Sequence, residues 1–150
     1  MSRLAYLIAT VGGIGRLRPA PGTWGSAAAL PVAWSIHILG GPWALAGATV
    51  LVFALGSWAA ARYVRDTGRE DPGEVVIDEV AGQWLVLLPA PLELLPYLAG
   101  FLAFRLLDIW KPWPARWADR AVHGGLGAML DDVLAAAYGC AAMAAWAYLR

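Results

Sequence analysis

The sequence predicts an all-α protein, a compact bundle of about five main helices embedded in a membrane, and three observations predict it. First, 60% of the 150 residues are hydrophobic and 15% are charged, against about 25% charged and about 45–50% apolar in soluble domains. Second, from Thr23 onward the apolar residues fall into five runs broken by glycine and proline, the residues that end helices. Third, threading those runs up and down places nearly all the basic residues on one side, the asymmetry of membrane helices. No internal repeat, low-complexity tract or long polar linker divides the chain, so residues 1–150 are read as one domain.

The opening stretch RLAYLIATV is short, and Gly12, Gly13, Arg16 and Arg18 follow it where a cleavage site would need small residues. It is expected to be a retained helix at the membrane interface. The runs at 24–39 and 43–64 flank Gly40, Gly41 and Pro42 and read as a helical hairpin with an uncharged turn. A polar stretch, RDTGREDPGE, leads to the runs at 75–88 and 94–109, a second hairpin turned at PAP; the last run covers 128–149. A helix needs about 20 apolar residues to span a bilayer. The second and fifth runs meet this; the first and third are short, and short apolar helices also fill the cores of soluble bundles.

If the turns near residues 40 and 90 share one side, then Arg3, Arg16, Arg18, Arg62, Arg65, Arg69, Arg105, Lys111, Arg116 and Arg120 share the other, and only Arg150 is left over. Among the acidic residues only Glu93 departs. The positive-inside rule makes the loaded side cytoplasmic. Formal net charge is zero, so no overall field points to nucleic acid. The nine tryptophans mostly flank the apolar runs, and Trp110, Trp113 and Trp117 are placed to hold their loop against headgroups.

Five carboxylates stand at helix ends on the loaded side: Asp78 and Glu79, Asp108, and Asp131 and Asp132. Ionisable groups at that depth are costly and point to function. Arg105, Asp108 and Lys111, three apart, would form a slanted stripe on a helix that Pro112 stops. Neighbouring helical residues differ by about 100° in azimuth, so each acidic pair can turn one carboxylate inward and the other sideways. Oxygen donors without histidine or thiol partners suit Mg²⁺, and Arg105, Lys111, Arg116 and Arg120 would supply the counter-charge for a phosphate. Taken pair by pair, Arg105 with Asp108, and Asp119 with Arg116 or Arg120, could equally be plain ion pairs. Ser26 or Thr23 is expected to cap the first apolar helix. His123 could donate a proton or touch phosphate, or simply face solvent.

Several phosphate chemistries are excluded. Cys140 has Trp146, not arginine, six residues on; no glycine-rich phosphate loop with lysine and hydroxyl is present; and two histidines, one of them the helical His37, are too few for a histidine nucleophile. Cys140 lies in an alanine-rich run and reads as packing.

PGTWGS (21–26), IDEVAGQW (77–84), FRLLDIWKPWPARWADR (104–120) and VHGGLGAMLDDVLAA (122–136) together resemble the phosphatidylglycerophosphatase A family. The resemblance implies an all-helical, Mg²⁺-dependent phosphatase of the bacterial inner membrane that converts phosphatidylglycerophosphate to phosphatidylglycerol and phosphate. It implies Asp78, Glu79, Asp108, Asp131 and Asp132 for metal binding, with Glu79, Asp108 and Asp131 catalytic, and Arg105, Lys111, Arg116 and Arg120 for the substrate. Water, or a carboxylate such as Asp108, is the attacking group. A phosphatase for another lipid phosphate and a non-enzymatic binder of anionic lipid are the rival readings.

Overall fold

The computed structural model describes residues 2–150, and helices are the only regular elements among them. They are α1 (Arg3–Ala9), a 3-10 turn (Ile14–Arg16), α2 (Pro21–Thr67), α3 (Ile77–Leu87), α4 (Leu94–Trp110), α5 (Ala115–Ala121) and α6 (Gly124–Leu149). The expected hairpin of the first two runs is α2, which reverses at Gly41 with φ 76° and ψ −174°. That backbone conformation disfavours any side chain, and the following Pro42 withholds an N–H from the helical ladder. Gly25 of the first limb abuts Val76 while Gly56 of the second abuts Ile77. A straight helix would hold those two glycines about 45 Å apart, so the limbs are folded back on each other.

α3 is the axis of the bundle. Its 11 residues extend about 16 Å, too short to cross a bilayer core of about 30 Å. Ala81, Gln83, Val86 and Leu87 are fully buried, and α2, α4 and α6 pack around them. The Trp84 indole N–H donates to the Ala29 carbonyl at 2.9 Å, so even the aromatic ring of this helix is committed inward. Small residues let the helices approach, as in membrane bundles generally. At Gly125 an added Cβ would run into the backbone of Ser57 and Ala61, which brings the start of α6 against the second limb of α2.

The outer surface is the reverse of a soluble protein's. Leu39 and Trp43 are 87% and 86% exposed, and Val50, Leu51, Leu102, Leu106 and Ile109 continue the apolar skin along α2 and α4. An exposed apolar surface of that extent needs a non-aqueous surrounding. α2 and α6 are long and apolar enough to cross a membrane, and the chain is a membrane protein.

α1 forms as expected and packs Ala5 and Ala9 against Ala59 and Tyr63 near the end of α2. One sequence expectation changes. The first apolar helix is not capped by Ser26 or Thr23, because Pro21 opens it after Ala20 and no side chain caps it, proline being favoured at a first helical position. The two charges that broke the one-sided pattern meet each other, Arg150 Nη2 lying 2.7 Å from Glu93 Oε1.

The close approach of α6 and α2 is testable. Gly125→Ala should lower stability in detergent by about 1–3 kcal/mol through overpacking, whereas Gly47→Ala, whose Cβ would meet nothing, should leave it unchanged or raise it slightly. Thermal unfolding of the two purified variants checks the pair.

Candidate active site

Three helix ends converge as the acidic pattern requires. The first turn of α3 presents Asp78 and Glu79, the last two turns of α4 present Arg105 and Asp108, and α6 presents Asp131 and Asp132 about two turns from its start. Carboxylates at the start of α3 and a lysine at the end of α4 both match the helix dipole. α4 stops one residue sooner than the charged stripe implies. Lys111 is its cap, in the left-handed region at φ 52°, and this backbone turn carries the ammonium across to α6.

The pairs interlock. Arg105 Nη1 donates to Glu79 Oε2 at 2.7 Å and to Asp108 Oδ2 at 3.0 Å. Lys111 Nζ donates to Asp108 Oδ1 at 3.1 Å and to Asp131 Oδ2 at 2.8 Å, and lies 3.5 Å from Asp132 Oδ1. Asp108 therefore has one oxygen on each cation and links them. The carboxylates of this network are buried, Glu79, Asp108, Asp131 and Asp132 being 2–8% exposed, while Arg105 and Lys111 keep partial access to solvent. Burial works against the Lys111 charge, but Asp132, Asp108 and Asp131 outweigh it and raise its pKa well above that of a free lysine. The first acidic pair is divided, since Glu79 faces Arg105 while Asp78 faces the carboxylates of α6, whereas Asp131 and Asp132 both approach Lys111.

Five carboxylates around two cations leave a deficit of positive charge in a place where unpaired charge is costly. Asp131 Oδ1 and Asp132 Oδ2 are buried without a hydrogen-bond partner. Asp78, Asp131 and Asp132 can each offer an oxygen within 4.8 Å of the others, and so can Glu79, Asp108 and Asp132. An all-oxygen donor set with two orphaned oxygens fits a hard divalent cation such as Mg²⁺, and Asp132 belongs to both groups.

Ser26, read from the sequence as capping material, belongs here, and so does Gly22. Ser26 is fully buried, with its hydroxyl 3.5 Å from both Glu79 Oε2 and Arg105 Nη1. Gly22 leaves space for that ion pair, because a Cβ there would sit 2.5 Å from Glu79 Oε1 and 3.2 Å from Arg105 Nη2. Pro21 was the available signal: a helix starting there puts Ser26 more than a turn inside it. Gln83, one turn beyond Glu79 and hence on the same face, is fully buried with neither amide atom partnered.

Asp78 and Asp131 also line a cavity of about 450 Å³ together with Asp119, His123, Glu70 and Asp71. Asp119 is thus turned to that cavity and makes no ion pair with Arg116 or Arg120 among the described residues. Those two arginines lie elsewhere. With Lys111, Trp110, Trp113 and Trp117 they line a separate cleft of about 510 Å³, so of the four predicted basic residues the carboxylates gather only Arg105 and Lys111.

A lipid-facing helical bundle with a buried oxygen-only centre beside arginine and lysine has the make-up of a membrane phosphoric monoester hydrolase. Residues 7–147 match the phosphatidylglycerophosphatase A family. The chain is 41% identical over 137 residues to phosphatidylglycerophosphatase A of Escherichia coli, covering 90% of this chain and 78% of that protein. It is 40% identical over 134 residues to phosphatidylglycerophosphatase A of Haemophilus influenzae, covering 89% and 82%. A Bacteroides thetaiotaomicron relative, named provisionally as a phosphatidylinositol-3-phosphatase, is 38% identical over 144 residues, covering 91% and 89%. No solved structure matches. The chain belongs to the phosphatidylglycerophosphatase A family and, with it, to the phosphoric monoester hydrolases.

Removing one member of a buried pair should be costly. Arg105→Ala should destabilise the protein by about 3–5 kcal/mol, and Arg105→Ala combined with Glu79→Ala should cost clearly less than the two single losses added. Unfolding of the four proteins in detergent measures the cycle.

Proposed function

We propose that this protein hydrolyses the terminal phosphate of phosphatidylglycerophosphate, with Mg²⁺, at the cytoplasmic face of the inner membrane. Family membership supports the substrate, the clustering of basic residues on one side supports the orientation, and one observation carries the chemistry: Asp131 and Asp132 keep buried oxygens without partners beside the cations Arg105 and Lys111. The five carboxylates Asp78, Glu79, Asp108, Asp131 and Asp132 would hold the cation. Bound among them, Mg²⁺ supplies positive charge at the phosphoryl oxygens.

The chain's own residues divide the remaining work. Arg105 and Lys111 meet the equatorial oxygens, whose charge builds in the transition state. Asp108 has both oxygens engaged; it holds the two cations in place and is a poor nucleophile. Asp131 has a free oxygen and borders the acidic cavity, so it is placed to take the proton of an attacking water. Glu79 and Ser26 fix the Arg105 guanidinium. The apolar exterior keeps the acyl chains in lipid while the headgroup meets the site.

A second reading, another lipid phosphate as substrate, is favoured by the Bacteroides relative's name. Both named substrates carry a phosphomonoester on a headgroup that is itself joined to the lipid by a phosphodiester.

Phosphate release by purified protein in mixed micelles tests the proposal. Phosphatidylglycerophosphate should be hydrolysed with Mg²⁺ and not with chelator, and faster than phosphatidylinositol 3-phosphate or phosphatidate. Glu79→Gln, Asp108→Asn and Asp131→Asn should each lower turnover by about a hundredfold or more with normal membrane insertion. If all three keep the wild-type rate, or chelator has no effect, the assignment is wrong and lipid binding without catalysis replaces it.

A further inference from the structure

The cleft beside the carboxylates is built from different chemistry than the site itself. Trp113 and Trp117 are 75% and 55% exposed, yet they flank Lys111, Arg116 and Arg120 around about 510 Å³ of space. Neither arginine pairs with a carboxylate among the described residues. The cleft is held open by backbone contacts: the Arg116 guanidinium donates to the Trp110 carbonyl at 3.0 Å, and the Tyr138 hydroxyl of α6 donates to the Trp113 carbonyl. Amphipathic indole rings with guanidinium groups that no carboxylate neutralises suit a membrane headgroup, and guanidinium suits phosphate.

Lys111 connects the two places. Its ammonium is bonded to Asp108 and Asp131 while its side chain lines the cleft. A ligand whose terminal phosphate reached Lys111 from the carboxylate side would therefore extend its remainder into the cleft. The opposite cavity, lined by Glu70, Asp71, Asp119 and Asp131, is acidic and repels a second phosphate.

We infer that the Arg116–Arg120 cleft is a second anion subsite that binds the phosphodiester of the lipid headgroup while the terminal phosphomonoester occupies the carboxylate centre. The inference rests on the proposed substrate, which carries both groups with one glycerol between them. It gives the arginines a role in positioning and specificity: a lipid with a single phosphate, such as phosphatidate, fills one subsite or the other but not both. The aromatic wall sets the depth at which the diester sits, with the acyl chains continuing along the apolar skin.

Two probes separate the subsites without turnover. Phosphatidylglycerol in mixed micelles carries the diester alone, and inorganic phosphate resembles the terminal group alone; binding of each to the purified protein can be followed calorimetrically. Arg116→Gln and Arg120→Gln should each weaken phosphatidylglycerol binding by about tenfold and leave phosphate binding within about twofold. Arg120→Gln leaves the Arg116–Trp110 bond in place, and retained phosphate binding in either variant reports an intact site. In kinetics, KM for phosphatidylglycerophosphate should rise by about tenfold with kcat much less changed. Equal loss of both probes, or no loss of phosphatidylglycerol binding, would overturn the subsite. Failure of the wild-type protein to release phosphate would count instead against the proposed reaction, since the binding measurements do not depend on it.

Discussion

Asp108 is the joint on which the site depends. Its two oxygens accept from Arg105 and Lys111, and through them it ties α4 to Glu79 on α3 and to Asp131 on α6. None of these groups can be left alone, because an unpaired charge with so little access to water is strongly destabilising. The surrounding architecture answers that constraint. Gly22 gives the Glu79–Arg105 pair its room, Ser26 offers it a hydroxyl, and the left-handed turn at Lys111 swings an ammonium between two helices. Even with both cations in place negative charge is in excess, and the orphaned oxygens of Asp131 and Asp132 are where it shows.

The fold serves that centre by keeping its axis short. α3 is buried along almost its whole length and brings two carboxylates to the place where the other helices end. Because α3 does not need to span, the longer helices carry the contact with lipid and the site can lie near the polar end of the bundle. Charge is then sorted around it. The cavity bordered by Asp78 and Asp131 is acidic, whereas the cleft bordered by Arg116 and Arg120 is basic and aromatic. Lys111 touches both the acidic centre and the basic cleft.

Much of this was legible in the sequence for physical reasons. Glycine and proline at 40–42 marked the reversal of α2, and charges stranded in apolar runs marked the site, because few other reasons keep a carboxylate in such surroundings. Asp78, Glu79, Asp108, Asp131, Asp132, Arg105 and Lys111 all lie in one cluster. What escaped was whatever depended on register or on small residues. Ser26 looked like a cap because its helix was started too late, and Gly22 carries no side chain to attract notice. Arg116 and Arg120 were grouped with the phosphate-binding residues by sign of charge, but α5 turns them away from the carboxylates. Charge alone could not show which basic residues fold against the carboxylates.

The central claim is that the carboxylate cluster is a divalent-cation site rather than a closed network of ion pairs. Asp132 tests it most directly, being shared by both oxygen groups and only 3.5 Å from the nearest cation. Binding of Mn²⁺, as a spectroscopic stand-in for Mg²⁺, can be measured by electron paramagnetic resonance on purified wild-type protein and on Asp132→Asn. A tightly held, oxygen-coordinated ion in the wild type, lost or weakened by about tenfold or more in the variant, is the predicted result. Absence of bound Mn²⁺ in folded wild-type protein, or equal binding in the two, would contradict the account.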